Sequence, residues 1–527
     1  MTITTVNWLG RAVPRAPRLA PAPAAVALAL LALSPACRAD WKFIPQFSLS
    51  ETYSDNIALR PVAQENWVTT LSPAFSLDNK GPRLDLHATY SKQFYEYADK
   101  AVGGTQHGTQ NLSAEAKGKL IEELLFVDAT ANISQQNVSI FGALSPTAGN
   151  SFATDNFVEV KTARVSPYFK HRFGPYANAE LRYAYDRVTS SKSGLNNSTG
   201  DTYSLSINSG TAFRQLGWGL QASKSKQQGL ATTAVGGSST SENASANLRW
   251  LASAQFNLTA QAGYDSFDYQ ALGGRNSGAA WEVGMEWQPS TRTHVKASAG
   301  RHFYGNSYLL EAQYRARASI WTLNYNDAVT STRQQFLLPS TIDTFTTLDR
   351  MFSSTIADPV ARRQVVEAYI QAAGLPSSLA NNINYFSNRY FLQKQFQAAL
   401  VMNGAHATTV LTLQDMRRNA LSSAVVDSNL LGSSLSQLNE NTSQTGANAT
   451  LTWRLTSRDG LRATADVSRM RSLSAHTSNL NRSIRVGLTR QLQPKLSAAI
   501  DLRRIKGGLG IAQYTENAVS ATLNKQF

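Results

Sequence analysis

The residues that could do chemistry in this chain are few and widely spread. Asp85, His87 and Ser91 lie on one face of an alternating segment and are the side-chain types of acid–base and nucleophilic catalysis. On an extended strand, however, residues 85 to 91 span about 20 Å, which puts Ser91 out of reach of His87. His294, His302, His406 and His476 show no HxxxH-type ligand spacing, and the sequence contains no GxGxxG, P-loop or zinc motif. Cys37 is the only cysteine and sits in a segment expected to be removed, so disulfides, thiolate metal sites and cysteine nucleophiles are excluded. The expectation is a non-enzyme with no catalytic residue, no cofactor and no metal.

Charge carries more information. The 527 residues have a formal net charge of +15, and removal of Arg11, Arg15, Arg18 and Arg38 with the leader leaves about +11. In an exported protein this favours lipid A phosphates or acidic polysaccharide over nucleic acid as a partner. Arg315, Arg317, Arg454, Arg462, Arg485 and Arg503 fall on positions expected to face an interior, as do Lys117, Lys119, Arg182, Arg249 and Lys296. Asp85, Glu115, Glu180, Glu282, Glu286, Glu311, Asp466 and Asp501 share those positions, and opposite charges facing across strands also serve simply as a polar wall. The six arginines are the candidate contacts for uronic-acid or phosphate-bearing glycans, since the stretch from Arg454 to Lys506 is distinctly basic. Tyr264, Phe267 and Tyr269 could stack on sugars near an outer rim or serve in an interfacial girdle.

The elements that position these residues have a period of two. Trp281, Val283, Met285 and Trp287 alternate with Glu282 and Glu286, and Ala447, Ala449, Leu451 and Trp453 alternate with Asn448, Thr450, Thr452 and Arg454. One greasy and one wet face per strand is the signature of a transmembrane barrel, whose membrane affinity is hidden in alternation. Mean hydropathy is −0.28, too polar for a helical membrane protein. The last strand, ENAVSATLNKQF, ends with Phe527 on its apolar face, like the assembly signal of outer-membrane proteins read by the barrel assembly machinery.

The chain begins with an export signal. Arg11, Arg15 and Arg18 precede the apolar run AAVALALLAL (24–33), and a small-residue end at Cys37–Ala39 predicts cleavage before Asp40. Pro35 fits a lipoprotein motif poorly, so Cys37 is read as part of the signal. The organisation is therefore a signal peptide over 1–39 and a barrel over 40–527. Short connections, for example at Asn79–Pro82, Glu122–Glu123, Arg172–Pro175 and Gln493–Pro494, are interleaved with longer polar segments. Short periplasmic turns and long outer loops produce this rhythm. It predicts an all-β, antiparallel up-and-down barrel of about 22 strands, within a range of 18 to 24.

Between Asn326 and Tyr390 the alternation stops for about 60 residues, far longer than an ordinary connection. Asp358–Pro359 offers a cap and first turn, Val366, Tyr369, Ile370 and Ala373 form an apolar stripe, and Gly374 with Pro376 ends it. A short helix is thus expected near 359–373, within a long extracellular loop over 327–389. This loop could fold into the lumen as a constriction, cap the mouth or contact a partner. A soluble sandwich or a solenoid would explain the alternation but not the signal, terminal Phe and turn rhythm together. A TonB-dependent transporter has the same barrel size but needs a large N-terminal plug, and the first strand is expected at Phe43–Tyr53, directly after the cleavage site.

The runs ETYSDNIAL (51–59), LLFVDATANISQQNVSIFG (124–142), SPYFKHRFGPYANAELRYAYDRV (166–188) and DRMFSSTIADPVARRQVVEAYIQAAGLP (349–376) resemble an outer-membrane protein family associated with PEP-CTERM/exosortase systems. The resemblance covers essentially the whole mature chain and implies an exopolysaccharide-locus setting rather than a mechanism. The expected function is export or surface display of exopolysaccharide through a channel in the cell outer membrane. Outer-membrane lipid, lipopolysaccharide, the barrel assembly machinery, exopolysaccharide and secretion proteins are the expected partners. A general diffusion porin, or a non-conducting scaffold for secretion partners, is the alternative.

Overall fold

The structure, a computed structural model, describes residues 41–102, 107–142, 150–153, 156–190, 197–230, 237–268, 276–337, 387, 389–422 and 437–527. The first strands in chain order are β1 (Trp41–Ser54), β2 (Asn66–Lys80), β3 (Leu84–Tyr97), β4 (Gly108–Ile121), β5 (Leu125–Asn137), β6 (Phe157–Phe173), β7 (Ala177–Ser190) and β8 (Ser198–Ser209). Then come β9 (Leu216–Leu230), β10 (Gly237–Ser253), β11 (Phe256–Phe267), β12 (Ser277–Ser290), β13 (Thr293–His302), β14 (Gly305–Arg315) and β15 (Ser319–Ser331). A short helix α1 (Thr332–Leu337) precedes β16 (Tyr390–Asn403), β17 (Ala407–Ala420), β18 (Thr442–Arg454), β19 (Asp459–Ser472), β20 (Thr477–Gln493), β21 (Leu496–Gly507) and β22 (Tyr514–Gln526).

Each strand pairs antiparallel with its sequence neighbours in one 22-stranded sheet. Pairing of β1 with β22, from Gln46↔Gln526 to Ser54↔Ala518, closes the ring and leaves no free edge. A ring of this size encloses a lumen wide enough for water or a plug.

The outer wall is an apolar band between two aromatic girdles. Trp281, Val283, Met285 and Trp287 are 52%, 54%, 41% and 45% exposed, although large and apolar, because they face lipid. Trp41, Trp250, Trp287, Trp321 and Trp453 lie outward at the end of the barrel carrying the short turns, and Phe527 joins them. Tyr53, Trp67, Tyr203, Tyr264 and Tyr308 face outward at the other end. Aromatic rings settle at both interfaces, so the girdles mark the membrane, with the short turns on the periplasmic side.

Two expectations are corrected. The rhythm of short and long connections is imperfect, since β13 and β14 are joined by the tight outer turn His302↔Gly305 and β19 and β20 by Ser472↔Thr477. Gly305 (φ 119°) and His476 (φ 52°) adopt the left-handed region that these turns require. The long loop starts later than 327, because β15 keeps pairing with β16 as far as Ser331↔Tyr390. The described helix is α1, at the start of that loop; the segment expected to be helical at 359–373, like the signal at 1–39, lies outside the described residues.

Candidate channel: a basic entrance and a closed outer mouth

At the outer end, loop segments fold inward and meet one another over the lumen. From the end of β15, α1 reaches β7 and β8, eight and seven strands away round the ring. There Arg333 forms a buried ion pair with Asp186, and its Nε donates to Ser198 Oγ at 2.7 Å. Phe336 and Leu337 pack on Val138, Val158, Val160 and Val188 of the lumen wall. From the β5–β6 connection, Ile140 and Phe141 pack against Phe391 of β16 and Met470 of β19, all nearly inaccessible to solvent. Phe152, from the same connection, sits edge-on to Tyr95 and Tyr97, with ring centroids 5.1 Å and 6.5 Å away.

Polar contacts lock these segments to the barrel seam. Asn150 Nδ2 donates to Glu516 Oε1 at 2.8 Å, and the same carboxylate accepts from Ser54 Oγ at 2.7 Å. Arg503 binds it in bidentate fashion, through Nε at 3.1 Å and Nη2 at 2.8 Å. Glu516 is fully buried, and this cage of donors satisfies its carboxylate oxygens.

The rest of the lumen is wet and charged. Lys117 and Glu115 face inward from β4 as a pair, yet their side chains are 61% and 54% exposed. Arg182 bridges Glu180 and Asp128 across the wall, the expected exchange of opposite charges. Towards the periplasmic rim the balance shifts. Lys119, Arg172, Arg249, Arg315 and Arg454 project inward near the ends of β4, β6, β10, β14 and β18, and among the described residues none of them makes an ion pair. Arg315 lines a hollow of about 530 Å³ with Arg292 and Arg317, beside Thr291, Ser319 and Asn403 and with no carboxylate in its wall. Three arginines and no acid among its lining residues give this hollow a basic character.

The six arginines singled out in the sequence therefore do not form one cluster. Arg315 and Arg317 come together, but Arg317 lies in the β14–β15 turn instead of on an inward strand position. Arg454 stands at the rim and donates to the Ala405 carbonyl at 3.0 Å. Arg462 and Arg485 converge on Asp501, at 3.4 Å and 3.1 Å, leaving two cations on one carboxylate. Arg503 is buried and committed to Glu516, so it is a structural residue and no glycan contact. Arg292 was missed: it is a turn residue with no strand pattern, and only the apposition of two periplasmic turns, Arg315 N donating to Arg292 O at 2.8 Å, brings it to the site.

The other chemistry-bearing residues resolve differently from their sequence grouping. His87 Nδ1 lies 2.6 Å from Asp78 on β2, so its carboxylate partner is across the strand pair, and Ser91 is not beside it. His294 with Glu286 and His302 with Asp265 repeat this wall motif, at 2.9 Å and 2.7 Å. Tyr264 faces lipid, whereas Phe267 faces the lumen against Phe303 and Tyr390, so the two share no sugar-stacking face. Tyr269 lies outside the described residues.

The chain is an outer-membrane-type β-barrel. No family model matches it, and no curated protein does. Among solved structures, the siderophore receptor PirA from Pseudomonas aeruginosa is 10% identical, with 92% of this chain and 80% of that chain covered and a TM-score of 0.45. The FrpB iron transporter from Neisseria meningitidis (F5-1 variant) is 11% identical, with 92% and 82% covered and a TM-score of 0.49. Such likeness concerns architecture, which here rests on the strand pairing itself.

Proposed function

We propose that the protein is an outer-membrane channel for export or surface display of an acidic exopolysaccharide, loaded from the periplasm and held shut by its own outer loops. The observation that carries this reading is the polarity of the lumen along its axis. Unpaired cations ring the periplasmic entrance, while apolar contacts and a caged carboxylate close the outer mouth. An entrance of one sign concentrates a polyanion, and a mouth built from loop contacts can open without disturbing strand pairing. The resemblance of residues 51–59, 124–142, 166–188 and 349–376 to the PEP-CTERM/exosortase-associated family supports a surface polymer as cargo and secretion proteins as partners.

The test is current block in planar bilayers, with the mouth opened by Arg333→Ala/Phe141→Ala, by an acidic oligosaccharide, oligogalacturonate, added to one side at a time. Block from the short-turn side, weakened by salt and absent with neutral dextrin of equal length, supports the proposal. Equal block by neutral and acidic chains favours a general diffusion porin. An absence of conductance under all conditions, including after the loop contacts are removed, favours a scaffold.

A further inference from the structure

On the outer wall, the extracellular ends of β17 to β21 carry a second basic surface that the lumen does not use. Arg417, Arg469, Arg471, Arg482, Arg504 and Lys506 occupy outward positions and are exposed. Among the described residues none of the six has an ion pair or side-chain hydrogen bond. Arg482 and Lys506 stand directly opposite in the β20–β21 register, a like-charge pair that costs stability unless an anion lies between them. The inner face of the same two strands shows how the protein handles such a pair when it is structural. Arg485 and Arg503 are also directly opposite, and Asp501 and Glu516 neutralise them.

The outer patch has almost no such provision. In the extracellular half of these strands the one outward carboxylate is Asp415, which accepts from Thr445 Oγ1 at 2.7 Å. Asp55, at the β22 edge of the patch, is taken up by the Asn517 backbone and side-chain nitrogens, both at 2.7 Å. One outward position further toward the membrane on each strand, Val467 follows Arg469, Ile484 follows Arg482 and Leu502 follows Arg504, all three exposed apolar side chains of the lipid-facing band. A ligand that satisfies both tiers has anionic groups above and acyl chains below.

We infer that this face is a binding site for a phosphorylated, multiply acylated glycolipid of the outer leaflet, the chemistry of lipid A. Its phosphates lie among Arg469, Arg482, Arg504 and Lys506, and its acyl chains run down β19 to β21. Arginine suits the task because its fork binds phosphate oxygens in bidentate fashion and its weak hydration tolerates the interface.

The experiment uses the full barrel in detergent, with native mass spectrometry and thermal unfolding as readouts. Three probes are added in turn: bisphosphorylated lipid A, enzymatically dephosphorylated lipid A, and inorganic phosphate. The expected result is a one-to-one complex and a raised unfolding temperature with the bisphosphorylated lipid only. The triple variant Arg482→Gln/Arg504→Gln/Lys506→Gln should bind it about a hundredfold more weakly. Lys224→Gln serves as the control, since that outward lysine is already paired with Glu242 at 2.6 Å. Equal binding of phosphorylated and dephosphorylated lipid by the native protein overturns the proposal, and this comparison needs no variant. Equal stabilisation by inorganic phosphate alone overturns it too, by reducing the patch to an unspecific anion site.

Discussion

Arg333, in the first turn after β15, is ion-paired with Asp186 on the inner face of β7, and both side chains are buried, at 7% and 4% exposure. The pair ties the start of the long loop to a wall eight strands away and so fixes the direction in which the chain leaves β15. Desolvating two charges is costly, and the pair is retained where a hydrophobic contact would have been simpler. The contact makes the placement of α1 against the far wall specific, and it can be broken without unzipping any strand.

Removing one partner exposes that cost. Arg333→Ala leaves Asp186 buried without its cation, which should destabilise the closed mouth by about 3–5 kcal/mol. Arg333→Gln with Asp186→Asn should cost less than either single change, because no charge is stranded. Hydrogen exchange of α1 and of the outer ends of β6 to β8 measures this, and protection should fall there while the band facing lipid stays protected.

The Glu516 cage makes a different prediction. Its carboxylate joins β22 to β1 through Ser54, to β21 through Arg503 and to the β5–β6 connection through Asn150. Glu516→Ala removes the carboxylate that Arg503 binds in bidentate fashion at the seam and should lower whole-barrel stability by about 3–5 kcal/mol. Asn150→Ala, which removes a neutral donor, should cost about 1 kcal/mol and loosen the loop alone. Unfolding followed by the heat-modifiable gel shift separates the two.

The apolar part of the closure should behave as a packed core. Phe141 is 6% exposed against Phe391 and Met470. Phe141→Ala should weaken the loop contact by about 3–5 kcal/mol, with proteolytic nicking of the 138–156 connection as the readout and folded barrel yield unchanged.

Phe527 should matter for assembly more than for stability. It is 61% exposed, and its backbone amide donates to Pro45 O at 3.0 Å. Phe527→Ala should reduce the amount of barrel assembled in cells while the refolded protein keeps its unfolding temperature. A large fall in unfolding temperature would instead give the ring a packing role.

The fold was legible because a closed barrel writes its register into alternation: one inward and one outward residue, strand after strand, allowed about 22 strands to be counted. What failed was whatever alternation does not encode. Arg317 matches an inward position by parity but sits in a turn, and Arg292 has no pattern at all; both reach the basic hollow because two turns are adjacent in the ring. Arg503 looked like Arg485, and only the position of Glu516 on the next strand separates a structural cation from an accessible one. An inward fold was one of three paths the sequence allowed for the long loop, of which α1 is the described start. The inward contacts of Ile140, Phe141 and Phe152 were not legible, because an apolar run in a connection does not reveal which wall it meets.

The rim arginines predict ion selectivity. Arg292→Gln/Arg315→Gln/Arg317→Gln should lose most of the preference for anions measured by reversal potential in a salt gradient. The effect should shrink as ionic strength rises, because exposed charges are screened over about 10 Å at 0.1 M salt.

The most direct test of a barrel closed by its own loops is single-channel conductance of the native protein beside the double variant Arg333→Ala/Phe141→Ala. The native protein should be silent or conduct in rare, small events, and the variant should show steady, large conductance that acidic oligosaccharide blocks from the short-turn side. Equal conductance in both, whether large or absent, would contradict closure by these contacts.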